Sequence, residues 1–204
     1  VDPEHRGQGI AAKLMNVALE SLNGKVKTIK LDATSLGQPV YEKFGFQVES
    51  KVERWSGTSG PPEQRSMETM DQHTLRELLQ LDQLAFAADR SQLIKALIND
   101  ACVPPVLLRA ADGSLSGYGL ARSGSRKTYI GPVIAKDPQV METLRSQLPE
   151  GEVYIDVNRE CISDTSVLSK RGFVKERDLV RMVKGEPGRK TSPLVVAIAG
   201  PEVG

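Results

Sequence analysis

Apolar residues recur at helical spacing from Ile10 onward: Ile10, Leu14, Val17 and Ala18 share one face, with Ala11, Met15 and Leu22 beside them. Asn23-Gly24 supplies a stop for this helix. Val26 to Leu31 alternates as a strand, and Val40 to Phe44 reads as a short helix closed by Gly45. Gln47 to Trp55 then gives one or two strands, and Ser56 to Pro62 has the composition of a linker. Helical periodicity returns over His73 to Leu84 and over Arg90 to Ile98. Strands follow at Val106 to Ala110, Gly117 to Arg122 and Thr128 to Ile134, the first two joined across the hairpin signal Asp112-Gly113. A helix over Pro138 to Leu148, a strand at Val153 to Val157, a helix up to Arg171 and a strand from Val174 to Val183 come next. Leu194 to Ala199 is the last predicted strand.

The two halves follow one plan. Asp2-Pro3, a helix, a strand ending in Leu31-Asp32 and the string Lys43-Phe44-Gly45-Phe46 are matched by Asp137-Pro138, a helix, a strand ending in Ile155-Asp156 and Lys170-Arg171-Gly172-Phe173. Arg54 lies eight residues beyond Phe46, and Arg181 lies eight beyond Phe173. The shared order favours a degenerate internal repeat. Alternating strands and helices place the fold in the α/β class (α+β in some schemes), with mixed sheets flanked by helices.

A chain of 204 residues holds one large domain or two small ones. A formal net charge of +1 gives no electrostatic case for nucleic acid or an anionic membrane. The longest apolar run, Leu194 to Ala199, is strand-sized, and no basic segment precedes an apolar one as in a secretory signal. Cys102 and Cys161 are too few for a disulfide framework and fit a reducing cytoplasm. With His5 and His73 the only histidines, neither a metal site nor a serine-type triad is expected.

The richest chemistry lies at the start, in Val1-Asp2-Pro3-Glu4-His5-Arg6-Gly7-Gln8-Gly9-Ile10-Ala11. Pro3 biases Asp2 toward an extended conformation, while Gly7 and Gly9 let the backbone approach a bulky anion. The helix that starts there offers unpaired amides and a dipole favouring negative charge, and Arg6 adds a guanidinium fork suited to phosphate oxygens. The plainer reading is a glycine turn that merely caps a helix. Rival phosphate motifs fail: a P-loop needs Gly-Lys-Ser/Thr where this chain has Gly9-Ile10-Ala11, and a dinucleotide fingerprint needs a third glycine where it has Ala12.

The string Arg6-x-x-Gly9-x-Ala11 before an amphipathic helix resembles the acetyl-CoA diphosphate loop of the GNAT superfamily of N-acetyltransferases. Residues 1–57 resemble the C-terminal half of such a domain, 58–66 read as a linker, and 67–204 resemble a second, degenerate GNAT-like unit of a bacterial tandem-domain subgroup. That unit is marked by Gly117-Tyr118, Tyr129-Ile130-Gly131-Pro132, Ile155-Asp156-Val157, Arg171-Gly172-Phe173 and Arg181-Met182. The closing run Ala197 to Gly204 looks like that subgroup's C-terminus. With Val1 already inside the motif, the chain reads as N-terminally truncated: one partial unit and one complete one.

The resemblance implies acetyl transfer from acetyl-CoA to a primary amine, with no metal. It places diphosphate oxygens on the amides of Gln8, Gly9, Ile10 and Ala11, beside Arg6 and Gly7, and the pantetheine between two splayed strands. Tyr41 occupies the place of a tyrosine that protonates the departing thiolate; a phenol with a pKa of about 10 keeps its proton at neutral pH. The alternative for Tyr41 is a core residue packed on the sheet. Thr34 stands where many relatives carry an asparagine that contacts the pantetheine arm, and its hydroxyl replaces only part of the amide's bonding. The second copy has Leu168 in place of Tyr41 and lacks the loop motif, so only the first copy is expected to bind cofactor.

No general base is assigned. Asp32, Glu49, Asp82 and Asp89 are the available carboxylates, each read first as a solvated or capping group. The acceptor amine, a small molecule or peptide, is expected near the junction of the two halves. The alternative function is a catalytically incomplete CoA-binding or assembly module, since the strand at Val26 to Leu31 has an open edge that invites a homodimer.

Overall fold

The computed structural model describes residues 1–5, 7–59, 68–135, 143, 145–146, 148, 150–186 and 192–203. A 3-10 turn at Pro3–His5 leads to α1 (Ile10–Leu22), β1 (Thr28–Thr34), α2 (Gln38–Lys43) and the long strand β2 (Gln47–Ser59). The second half contributes α3 (Gln72–Phe86), α4 (Ser91–Asn99), β3 (Val106–Arg109), β4 (Leu115–Arg122), β5 (Thr128–Ala135), β6 (Gly151–Asn158), α5 (Ser166–Lys170), β7 (Val174–Gly185) and β8 (Val195–Ala197). The helix expected over Pro138 to Leu148 lies mostly outside the described residues.

Strands from both halves join one eight-stranded sheet in the order β1-β7-β2-β6-β8-β5-β4-β3. All its pairings are antiparallel except β5 with β6. β1 pairs from Thr28↔Gly185 to Thr34↔Leu179, so it starts and ends later than its alternation suggests; its partner on β7 sets the ends. β2 is one strand, and it runs on through Ser56–Ser59 because those residues pair with Gly151–Tyr154 of β6. Pairing here overrides the linker-like composition of Ser56–Ser59; residues 60–67 lie outside the described residues.

The halves exchange strands. β7 of the second half pairs with β1 of the first, and β2 of the first pairs with β6 of the second. At the centre Val52 faces Leu179, and the flanking pairs mirror each other: Lys51↔Val180 with Glu53↔Asp178, Ser50↔Arg181 with Arg54↔Arg177. The irregularities match too, for Glu49 on β2 and Glu176 on β7 are the residues skipped by the register. An approximate two-fold axis therefore passes through the Val52–Leu179 pair.

The axis relates two ion pairs made by the same atoms. Arg54 donates from Nε and Nη2 to the Asp156 carboxylate at 2.7 and 2.6 Å, and Arg181 does the same to Asp32 at 2.9 and 2.8 Å. Asp156 is fully buried, and the Arg181 and Asp32 side chains are 3% and 2% exposed. The bidentate bond to Asp156 is the main influence raising the pKa of Arg54. For Arg181 burial is the largest single influence and lowers the pKa, but the bond to Asp32 and the nearby negative charge of Asp32 and Glu49 together raise it. Both pairs cross from one half to the other.

Two layers cover the sheet. α1 and α2 lie on the face of Leu31, Ala33 and Met182, with Met15, Leu19, Tyr41, Phe44 and Phe46 packed there. α5 lies on that same face through Leu168 and Phe173, which pack with Trp55, Val153, Ile155 and Val157. α3 and α4 cover the other face through Leu78, Ala85, Ile94 and Leu97, against Val52, Tyr118, Leu120, Leu179 and Val195.

Removing one member of a buried pair leaves the other charge uncompensated and costs about 3–5 kcal/mol. Arg181→Leu is expected to lose stability on that scale in urea denaturation, and Arg181→Leu/Asp32→Leu to recover most of it. Equal losses in the single and double variants would show that packing, not charge, holds β1 to β7.

Candidate cofactor loop and reaction site

Asp2 starts the loop by accepting the Glu4 amide on its carboxylate and the His5 amide on its carbonyl, both at 3.0 Å. Arg6 lies outside the described residues. Gly7 and Gly9 both have left-handed φ, 79° and 72°, and no atom stands within 4 Å of where a Cβ would sit. The backbone thus opens onto free space at the two positions where side chains are missing.

Gly9 is the N-cap residue of α1, no side chain caps the helix, and the first helical bond runs from the Lys13 amide to the Gly9 carbonyl. The amides of Ile10, Ala11 and Ala12 precede that bond and point out of the helix end. The first turn carries no acidic residue to compete with a ligand. Two of these, Ile10 and Ala11, are among the four amides that the sequence singled out, and a helix end of this kind suits an anion.

α1 and β1 run antiparallel and are packed together through Met15, Leu19, Ile29 and Leu31. Their 13 and 7 residues span about 20 and about 23 Å, so their far ends are level. The glycine loop therefore sits at the end of β1 where Thr34 leads into α2.

Thr34 accepts the Gly37 amide on its hydroxyl at 3.2 Å and on its carbonyl at 2.9 Å, and so shapes the turn into α2. One lone pair of the hydroxyl is committed to the backbone, while its proton meets no acceptor among the described residues. Tyr41 is half-buried, its ring edge-on to Phe46 at 6.2 Å. Its ring belongs to the core, yet its hydroxyl makes no hydrogen bond among the described residues. Leu168, its counterpart in the second half, is 2% exposed and purely packed. The position needs an apolar body, and only the first half adds a hydroxyl.

The carboxylates are mostly structural. Asp32 is buried against Arg181, and Glu49 takes the Lys30 ammonium at 2.8 and 2.9 Å with only 9% of its side chain exposed. Asp82 is not solvated either: at 1% exposure it receives Arg90 in bidentate form at 2.8 Å and the Tyr118 hydroxyl. Burial, reinforced by Asp82, pushes the Tyr118 phenol well above its ordinary pKa. Asp89 behaves as the sequence suggested, capping the Ser91 amide at 2.9 Å.

In the second half, β5 and β6 are joined only over Thr128–Ile130 and Val153–Ile155. Beyond that they part, and β8 enters the gap antiparallel to both, through Val133↔Ala197, Ile134↔Val195 and Val157↔Ala197. The Ile198 amide bonds to the Asp156 carbonyl, the Ala135 amide to the Leu194 carbonyl, and Arg122 grips the Ala199 carbonyl at 2.7 Å. Residues 195–199 are at most 1% exposed. A Cβ on Gly131 would collide with the Ile198 carbonyl oxygen, so glycine is required for this close approach. The sequence marked Leu194–Ala199 as a strand without signalling that it fills a gap in the sheet.

Where the halves meet, a cleft of about 190 Å³ is lined by Lys30, Leu31 and Asp32 of β1, Arg181, Phe86 at the end of α3, and Pro201 to Val203. It lies on the sheet face opposite Tyr41. Among the described residues no group of three or more His, Cys, Asp or Glu side chains is placed to hold a metal ion. No helix among them is long and apolar enough to cross a membrane.

Two profiles, each described as an acetyltransferase (GNAT) domain, match residues 1–59 and 78–193. The chain belongs to the GNAT acetyltransferase family. It is 30% identical over 183 residues to the uncharacterized N-acetyltransferase YitH of Bacillus subtilis (strain 168), covering 86% of this chain and 64% of that protein. A crystal structure of a proposed acetyltransferase from Pyrococcus horikoshii superposes with a TM-score of 0.78 at 24% identity, over 100% of this chain and 69% of that one. A GCN5-related N-acetyltransferase from Sphaerobacter thermophilus gives 0.59 at 15% identity, over 92% and 72%. These likenesses establish a GNAT fold, and the chain spans just under two thirds of the YitH sequence.

Crowding at the β8 gap gives a direct check. Gly131→Ala is expected to lower stability by about 1–3 kcal/mol through overpacking against Ile198, seen as a drop in Tm. An unchanged melting curve would mean that β8 is not seated beside Gly131.

Proposed function

We propose that this chain serves acetyl transfer from acetyl-CoA to a primary amine, with the cofactor held by the first half alone. The observation that carries this reading is the contrast between the halves. The first offers an open left-handed glycine loop at a helix N-terminus and an unengaged Tyr41 hydroxyl. The second has β8 filling the gap between β5 and β6, and Leu168 in place of the phenol.

Acetyl-CoA supplies an activated thioester. The amides of Gln8, Gly9, Ile10 and Ala11 hold its diphosphate, with Arg6 and Gly7 beside them, and Thr34 offers its hydroxyl proton to the pantetheine arm. The neutral amine nitrogen forms a bond to the acetyl carbon as the carbon–sulfur bond breaks, and Tyr41 gives its phenolic proton to the departing thiolate. The proton shed by the acylated nitrogen passes through water to restore the phenol. The acceptor reaches β1 from the junction cleft on the opposite face. Asp32 holds Arg181 there and is not offered as the base. The free Cys102 and Cys161 thiols fit a reducing cytoplasmic setting.

One observation favours a second reading, a CoA-binding or assembly module without turnover. No residue of α1 is buried, and Leu14 and Val17 are each 64% exposed. β1 also has an open outer edge at the end of the sheet, suited to a second copy.

Isothermal titration is expected to give one acetyl-CoA per chain, lost in Arg6→Ala/Gly9→Glu; two sites, or binding indifferent to these changes, would overturn the assignment. In a thiol-release assay across an amine panel, Tyr41→Phe is expected to slow turnover about 100-fold or more while leaving acetyl-CoA affinity unchanged. A stable dimer with no turnover in the unaltered chain would favour the module.

A further inference from the structure

The approximate two-fold axis gives the junction cleft a counterpart. Its mate is larger, about 510 Å³, and is lined by residues from β2, the β4–β5 hairpin, β6 and β7. Arg54, Tyr154 and Glu176 stand where the first half has Arg181, Lys30 and Glu49. The floor is built of engaged groups. Arg54 is bound to Asp156, and the Tyr129 hydroxyl donates to the same carboxylate at 2.9 Å. Arg122 lies 4.4 Å from the centre of the Tyr129 ring, and Lys127 lies 4.6 Å from that of Tyr154.

The walls carry excess positive charge. Arg54, Arg122, Arg126, Lys127 and Arg177 face only two lining carboxylates, Glu176 and Glu202. Lys127 is satisfied by Glu152 and Glu176, each at 3.2 Å. Arg126 and Arg177 are exposed and form no ion pair among the described residues. Arg177 also sits directly across from Arg54 in the strand register; Asp156 offsets Arg54, while Arg177 keeps its charge on the rim. Arg122 reaches only one carboxylate, that of Glu202 at 3.0 Å, whose side chain is 63% exposed.

From this we infer that the larger cleft binds a small molecule bearing two or more acid groups, carboxylate or phosphate. Arg126 and Arg177 clamp it from opposite rims, and Arg122 reaches it when Glu202 swings away. Guanidinium forks suit both acid types, and the volume suits a small metabolite rather than a polymer. The larger cleft is spatially separate from the cofactor loop. Glu202 also lines the junction cleft, so an anion that displaces it from Arg122 alters the charge of that cleft.

Citrate and inorganic pyrophosphate serve as probes, titrated calorimetrically at fixed ionic strength. At least one is expected to bind once per chain, and the comparison between them tells carboxylate from phosphate preference. Arg126→Ala/Arg177→Ala, both surface positions, is expected to weaken that binding by at least about tenfold with an unchanged Tm. Glu202→Gln is expected to tighten it, because the competing carboxylate is gone. Gly9→Glu is expected to leave it unchanged, which separates this cleft from the diphosphate loop. Failure of both probes to bind, equal weakening in the exposed control Arg76→Ala/Lys95→Ala, or weaker binding in Glu202→Gln would overturn the inference.

Discussion

The crossed arginine–aspartate pairs hold the exchanged strands in register, and the rest of the molecule is arranged around them. Asp32 and Asp156 alternate along their strands with Leu31 and Ala33, and with Ile155 and Val157, whose side chains enter the apolar clusters on the opposite face. A slip of one residue in either outer pairing would drive a carboxylate into one of those clusters and its arginine away from it. An ionised carboxylate without a partner in such a setting costs far more than any strand gains from a shifted ladder. The pairs thus contribute specificity more than net stability, and both lie between halves, so neither half sets its own register alone.

A symmetric frame carries two different ends. At the first, β1 stands at the sheet edge with an open glycine loop above it. At the second, β6 is covered by β8, and Gly131 gives up its side chain so that the backbone of Ile198 fits. The packing requirement around the site is nonetheless shared, since Tyr41 with Phe46 and Leu168 with Phe173 fill matching places on one face. Only the chemistry differs between them. The Tyr41 hydroxyl has no hydrogen-bond partner among the described residues and is open to solvent, whereas Leu168 is closed off by packing.

Much of this was legible in the sequence, for reasons that also mark its limit. Helix α1, the glycine loop, the Gly45 stop (φ 81°) and the repeat itself followed from local spacing. The spacing of Arg54 and Arg181 after matching Gly-Phe strings also showed that the two arginines are equivalent. It did not show that each reaches the aspartate of the other half, because pairing within a copy and pairing between copies leave the same sequence signature. The extension of β2 through Ser56–Ser59 was hidden for a related reason: the run Ser-Gly-Thr-Ser has a linker's composition and is held as a strand by β6. Asp82 carried a signal that went unused. It lies four residues after Leu78 and three before Ala85, on the apolar stripe of α3, where a carboxylate requires a buried partner; Arg90 and Tyr118 supply it.

Charge, finally, separates the two clefts more than shape does. In the smaller one each lining charge has a partner, Asp32 in Arg181, Lys30 in Glu49 and Glu202 in Arg122. In the larger one the same frame holds Tyr154 where Lys30 would be, and the hairpin adds Arg126 and Lys127. The second half thus has Leu168 in place of the hydroxyl and β8 between β5 and β6, with positive charge on the opposite face. Glu202, shared by the two clefts, is the only lining carboxylate common to both, so the two sites are electrostatically linked through one exposed side chain near the chain's end.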